Sequence, residues 1–81
     1  MIMEKNILLE RIVIDPNIMV GKPVIKGTRL TVEHILGLLA QGISIETLLK
    51  EYSRLAKEDI FACLLFAQRA IGDATFVPVF K

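Results

Sequence analysis

The sequence predicts a mostly α domain, three helices behind a short N-terminal β hairpin or ribbon. Three observations predict it. Apolar residues at helical spacing lie between a cap signal at Thr31 and a stop at Gly42, and again from Ser44 to a break at Ser53. A third helical stretch runs from Lys57 to Ile71 and ends at Gly72. Ahead of them, β-branched runs are cut by turn residues at Asp15-Pro16-Asn17 and at Gly27. The 81 residues fit one domain, divided into ribbon and basic loop (7–30), helices (31–72) and apolar tail (73–81).

Ile7 to Ile14 is rich in Ile, Leu and Val and reads as a strand. Pro16 presets the backbone angle of a turn that ends it, and Asn17 tolerates the next position. Lys22 precedes a proline and is pushed toward extended geometry. Pro23-Val24-Ile25 follows as a short strand, with proline suited to its start, and Gly27 supplies a turn. Such a ribbon is marginal alone and must pack on the helices or pair across a dimer.

Thr31 can accept a hydrogen bond from an orphan backbone N–H of the first helix. Glu33 in its first turn complements the helix dipole. Val32, Ile35, Leu36 and Leu39 share one face. Ser44 caps the second helix, whose apolar side is Ile45, Leu48, Leu49 and Tyr52. Ser53-Arg54-Leu55 is the break. The centre of the third helix, Ile60 to Ala67, is apolar on every side, which predicts burial all round, in the core or at an interface. Pro78 keeps the following apolar tail from a central-strand role.

Composition narrows the function. With 53% hydrophobic residues, so short a chain cannot hide all its apolar surface, and a second copy is the simplest cover. A net charge of +1 does not call for a nucleic-acid partner, but the cations are unevenly placed. Residues 1–30 carry a balance of +2 and residues 31–60 a balance of −2. A lone Cys63 excludes an internal disulfide and fits a cytoplasmic setting. No apolar run is long enough to span a bilayer, and none follows a basic start as in a secretory leader.

Gly21 to Val32 is the richest stretch: Gly-Lys-Pro-Val-Ile-Lys-Gly-Thr-Arg-Leu-Thr-Val. Lys22, Lys26 and Arg29, with the Thr28 hydroxyl, are spaced to clamp a phosphate backbone. The plainer reading is a solvated turn whose glycines set its shape. Behind it, residues 42–60 have a helix-turn-helix outline. Arg54 in the turn and Lys57 at the start of the third helix complete the candidate DNA contacts. That helix begins Lys57-Glu58-Asp59, which is net acidic and ill-suited to enter a groove lined by phosphates. The loop is therefore the better DNA candidate.

The remaining singular residues argue for structure. His34 has no second ligand at metal-binding spacing. Cys63 lies in an apolar run, where a buried inert thiol is expected. Glu58 and Asp59 point to different helix faces and read as first-turn dipole partners. An ion pair between Arg29 and Asp15 competes with phosphate binding by Arg29. With no nucleophile–base pair, metal cluster or phosphate loop, neither catalysis nor a cofactor is expected.

Gly21-Lys-Pro-Val-Ile-Lys-Gly-Thr-Arg29 carries a resemblance. It is preceded by Arg11-Ile-Val-Ile-Asp-Pro16 and followed by Gln41-Gly-Ile-Ser44 and Glu58-Asp-Ile60. The chain resembles the family known as domain of unknown function 433 over roughly residues 10–72. The resemblance implies a homeodomain-like, three-helix helix-turn-helix fold with a short β segment in front. It also implies an antitoxin role: silencing a PIN-domain ribonuclease toxin and binding operator DNA as a dimer. The tail residues Phe76, Val77, Val79 and Phe80 would serve the partner contact by adding to a sheet edge or filling a groove. The chain departs from the family pattern at Val20, where a second glycine is usual. Thr31, Ile45 and Ser53 stand where prolines are common, and Ala56 replaces a capping Ser or Thr.

Overall fold

A computed structural model describes residues 5–72 of the chain. Four helices and a two-stranded antiparallel sheet follow in the order α1 (Lys5–Leu9), β1 (Ile12–Val13), β2 (Val24–Ile25), α2 (Val32–Ala40), α3 (Ile45–Glu51) and α4 (Lys57–Gly72). The apolar tail, with Phe76, Val77, Val79 and Phe80, lies outside the described residues.

One correction concerns the N-terminal segment. Residues 7–14 were expected to form one strand, yet the chain is helical through Leu9 and extended only at Ile12–Val13. The helix packs on α4 and leaves Leu8 and Leu9 half-buried, while Ile7 stays exposed. A short unbroken apolar run has no period that separates strand from helix, so the distant α4 surface decides. The mostly helical architecture stands, with four helices where three were expected.

The ribbon itself is present but small. Ile12 pairs with Ile25 and Val13 with Val24. Val24 also bridges to Thr31, and the Val32 N–H donates to the Pro23 carbonyl at 2.9 Å. The ribbon is thus tied directly to the start of α2. Between the strands, Met19, Val20 and Gly21 all take positive φ in one tight turn.

Helix ends follow their caps. The Thr31 hydroxyl accepts from the His34 N–H at 3.0 Å, and the Ser44 hydroxyl accepts from the Thr47 N–H at 3.1 Å. Gly42 leaves α2 with φ +92°, a left-handed value that glycine adopts without strain. Ala56 has no hydroxyl to offer α4. Instead, Asp59 reaches back, its Oδ2 accepting from the Ala56 N–H at 2.8 Å, which is half of a capping box.

The core gathers Ile25, Val32, Ile35, Leu48, Leu55, Ile60 and Cys63, drawn from the ribbon, from α2, α3 and α4, and from the turn between α3 and α4. The α4 helix was expected to be buried all round, in the core or at an interface; within the single chain Ile60, Ala62 and Cys63 are buried while Phe61 and Leu64 are exposed, so the core alone does not cover it. One chain is too small to cover both faces of a 16-residue helix.

Candidate functional site

The loop after β2 is held by its own backbone and by Thr28. The Thr28 hydroxyl donates to the Ile25 carbonyl at 2.8 Å and accepts from the Leu30 N–H at 3.0 Å. Its single proton is thereby committed to loop shape. Gly27 takes φ +80°, and the Ile25 N–H closes the loop on the Leu30 carbonyl at 2.9 Å. Lys26 and Arg29, on either side of this turn, are exposed.

Arg54 joins the loop from the α3–α4 turn, its guanidinium donating to the Gly27 carbonyl at 3.2 Å. The two pieces of chain that sequence reasoning named separately are therefore in contact. Between them runs an open groove of about 700 Å³, with Thr28 and Arg29 on one side and Tyr52, Ser53 and Arg54 on the other. A second hollow shares Arg54 and adds Lys26 and Arg11. Arg29, Arg54 and Lys26 thus form one basic band around Arg54. Glu51 borders the first hollow and Glu10 the second, so carboxylates border the band as well.

The other predicted contacts are placed differently. Lys22 pairs with Glu33 at 3.1 Å, with both side chains exposed. It borders a different hollow, beside His34 and Gln41. Lys57 is exposed at the start of α4. Among the described residues, none of Lys26, Arg29, Arg54 and Lys57 is in an ion pair. The alternative pairing of Arg29 with Asp15 is not made. The Asp15 carboxylate instead accepts from the Asn17 N–H at 2.9 Å, the local bond that Asp favours in turns.

Arg11 is the residue that sequence reasoning missed. Its guanidinium meets the Asp59 carboxylate at 3.0 Å across 48 positions of sequence. Asp59 is only 6% exposed. The acidic start of α4, expected to face outward, is therefore partly withdrawn: Asp59 is buried and paired with Arg11, leaving Lys57 and Glu58. A buried carboxylate with a distant arginine leaves no short-range spacing to detect.

Two further side chains are accounted for structurally. His34 is exposed and lies 3.3 Å from the Tyr52 hydroxyl, with the rings edge-on at 84°. The Cys63 thiol is fully buried, and burial, with the nearby Asp59 charge, pushes its pKa up to about 12. At neutral pH it is a protonated apolar filler. Among the described residues, no three His, Cys, Asp or Glu side chains gather as a metal site. No helix among them is long and apolar enough to cross a membrane.

Comparison with known proteins agrees with this architecture. A crystal structure of a DUF433 member protein from Anabaena variabilis ATCC 29413 superposes with a TM-score of 0.74 at 27% sequence identity. The match covers 83% of this chain and 66% of that one, so this chain spans just under two thirds of its solved relative. An uncharacterized protein of Archaeoglobus fulgidus is 64% identical over 25 residues, which are 31% of this chain and 69% of that protein. Residues 12–67 match the family described as "Protein of unknown function (DUF433)". That span takes in the ribbon, the basic loop, α2, α3 and most of α4, and the chain belongs to the DUF433 family.

Proposed function

We propose that this chain is an antitoxin-like, DNA-associated protein of a type II toxin–antitoxin pair. In this reading it is a non-catalytic, cytoplasmic homo-oligomer that grips operator phosphates through Lys26, Arg29 and Arg54. The observation that carries the reading is the Arg54–Gly27 bond, which joins the basic loop to the turn between α3 and α4. A helix-turn-helix presents its turn and the start of its second helix to the duplex. Here the loop and turn add cations beside a helix start that carries only one, Lys57. Phosphate contact needs only cations and donors at reachable spacing, and the band offers three without ion-pair partners among the described residues. Lys22 is assigned a smaller share, because Glu33 already offsets its charge.

The test is fluorescence anisotropy with the DNA upstream of the chain's own gene, read across a salt series. Removing three phosphate contacts should lower the slope of log K against log salt by about 2 to 3. The Lys26→Ala/Arg29→Ala/Arg54→Ala variant is expected to show that loss, and Lys22→Ala little change. Absence of salt-sensitive binding by the wild-type chain at micromolar concentration overturns the DNA reading.

A second reading, a protein-interaction module that binds no DNA, draws on the exposed apolar residues of α4 and the net charge of +1. It includes silencing of a PIN-domain ribonuclease through Phe76, Val77, Val79 and Phe80. Deleting residues 74–81 should then abolish co-purification with a neighbouring nuclease, and retained co-purification would remove the tail from that role.

A further inference from the structure

The outward face of α4 carries a row of exposed side chains. Lys57, Phe61, Leu64, Gln68 and Ile71 are all exposed. They recur at alternating spacings of four and three, the seam of two helices packed side by side. Phe61 is 42%, Leu64 45% and Ile71 64% exposed, although the opposite face of the same helix is the centre of the core. Large apolar side chains aligned along a seam mark an interaction surface.

The charges beside the seam identify the occupant. Glu58 and Arg69 are eleven positions apart, which places them within about 20° of each other around the helix and about 16 Å apart along it. They flank the seam on the same side, one near each end. Among the described residues neither is in an ion pair. In a two-fold pair the same patch serves both partners. Antiparallel pairing puts each Glu58 beside Arg69 of the other copy, with Phe61 and Leu64 meeting their counterparts between. Parallel pairing would put the two copies' charged flanks on opposite sides of the seam and leave both charges unpaired. A nucleic-acid partner is disfavoured, because the seam carries one cation, Lys57, and an apolar centre.

We infer that two copies of this chain associate through antiparallel packing of α4 on α4, centred on Phe61 and Leu64 and keyed by reciprocal Glu58–Arg69 pairs. The interface leaves Arg29 and Arg54 free, since they lie on the loop and turn rather than on this helix face. It does not depend on the DNA reading. One seam of this length is smaller than a standard interface, so the dimer forms in the micromolar range, roughly 1 to 100 µM.

Sedimentation equilibrium of the full chain without DNA tests the inference, with far-UV circular dichroism as a check on folding. The wild-type chain is expected to dimerise. Glu58→Arg and Arg69→Glu should each weaken association about tenfold, because symmetry repeats the like-charge contact twice. The double variant Glu58→Arg/Arg69→Glu should recover to within about threefold of wild type, since every pair is re-formed with its signs exchanged. Leu64→Asn, at a site already exposed in the single chain, should leave a folded monomer. A wild-type chain that stays monomeric through this concentration range overturns the proposal. So does a double variant weaker than either single one. Because no DNA is present, failure here is read separately from failure of operator binding.

Discussion

Val20 holds φ 57° and ψ 36° with its side chain 94% exposed. A left-handed backbone brings Cβ against the following carbonyl and costs an L-residue about 1–2 kcal/mol. Branching at Cβ makes valine a poor choice there, and so exposed a side chain recovers little by packing. Val20→Gly should therefore raise unfolding stability by about 1 kcal/mol in urea titration, the relief of strain exceeding the extra chain entropy of glycine. A loss of stability would show that the valine side chain has a compensating contact. The family pattern already flagged this position as a glycine site, and the torsion angles supply the reason. Asp15 and Arg29 were less legible. Opposite charges near each other in a turn-rich segment suggested a pair, but a carboxylate two residues before a free backbone N–H satisfies itself locally.

At the scale of elements, caps were the most legible feature. Thr31 and Ser44 each accept the backbone N–H three residues on, as expected of N-cap hydroxyls. These bonds are local, so a short stretch of sequence contains both partners. The N-terminal helix was not legible for the opposite reason. The apolar run Ile7-Leu8-Leu9 suits either a strand or a helix, and only packing on α4 selects between them. The start of α4 lies between these cases. Ala56 marks a missing cap in sequence, whereas the compensation by Asp59 appears only in three dimensions. Ala56→Ser should complete the reciprocal box, whose second half Asp59 already provides, and add about 0.5–1 kcal/mol of stability. An unchanged denaturation midpoint would mean that Asp59 alone already satisfies this helix end.

For the whole molecule, the sequence supported the division into a cationic front and an acidic helical part, because charge counts need no contacts. It did not show how the ends are joined. The Arg11–Asp59 bond ties the N-terminal segment to α4, and the Asp59 charge also acts on the buried Cys63. This makes the single thiol a reporter of global unfolding. Burial first, and the Asp59 charge second, raise its pKa from 9.0 to about 12. Below pH 9 the thiol is protonated in both the folded and the unfolded chain, so its contribution to stability is fully present. Between pH 9 and 12 only the unfolded chain releases the proton, and stability falls as pH rises through that window. Cys63→Ala should be less stable than wild type at pH 7, because it leaves space in a packed core. Its further decline toward pH 11 should nevertheless be shallower, since every other group is common to the two proteins and cancels in the comparison. Parallel curves for the two proteins would show that Cys63 ionises as readily folded as unfolded, and that the core around it admits water.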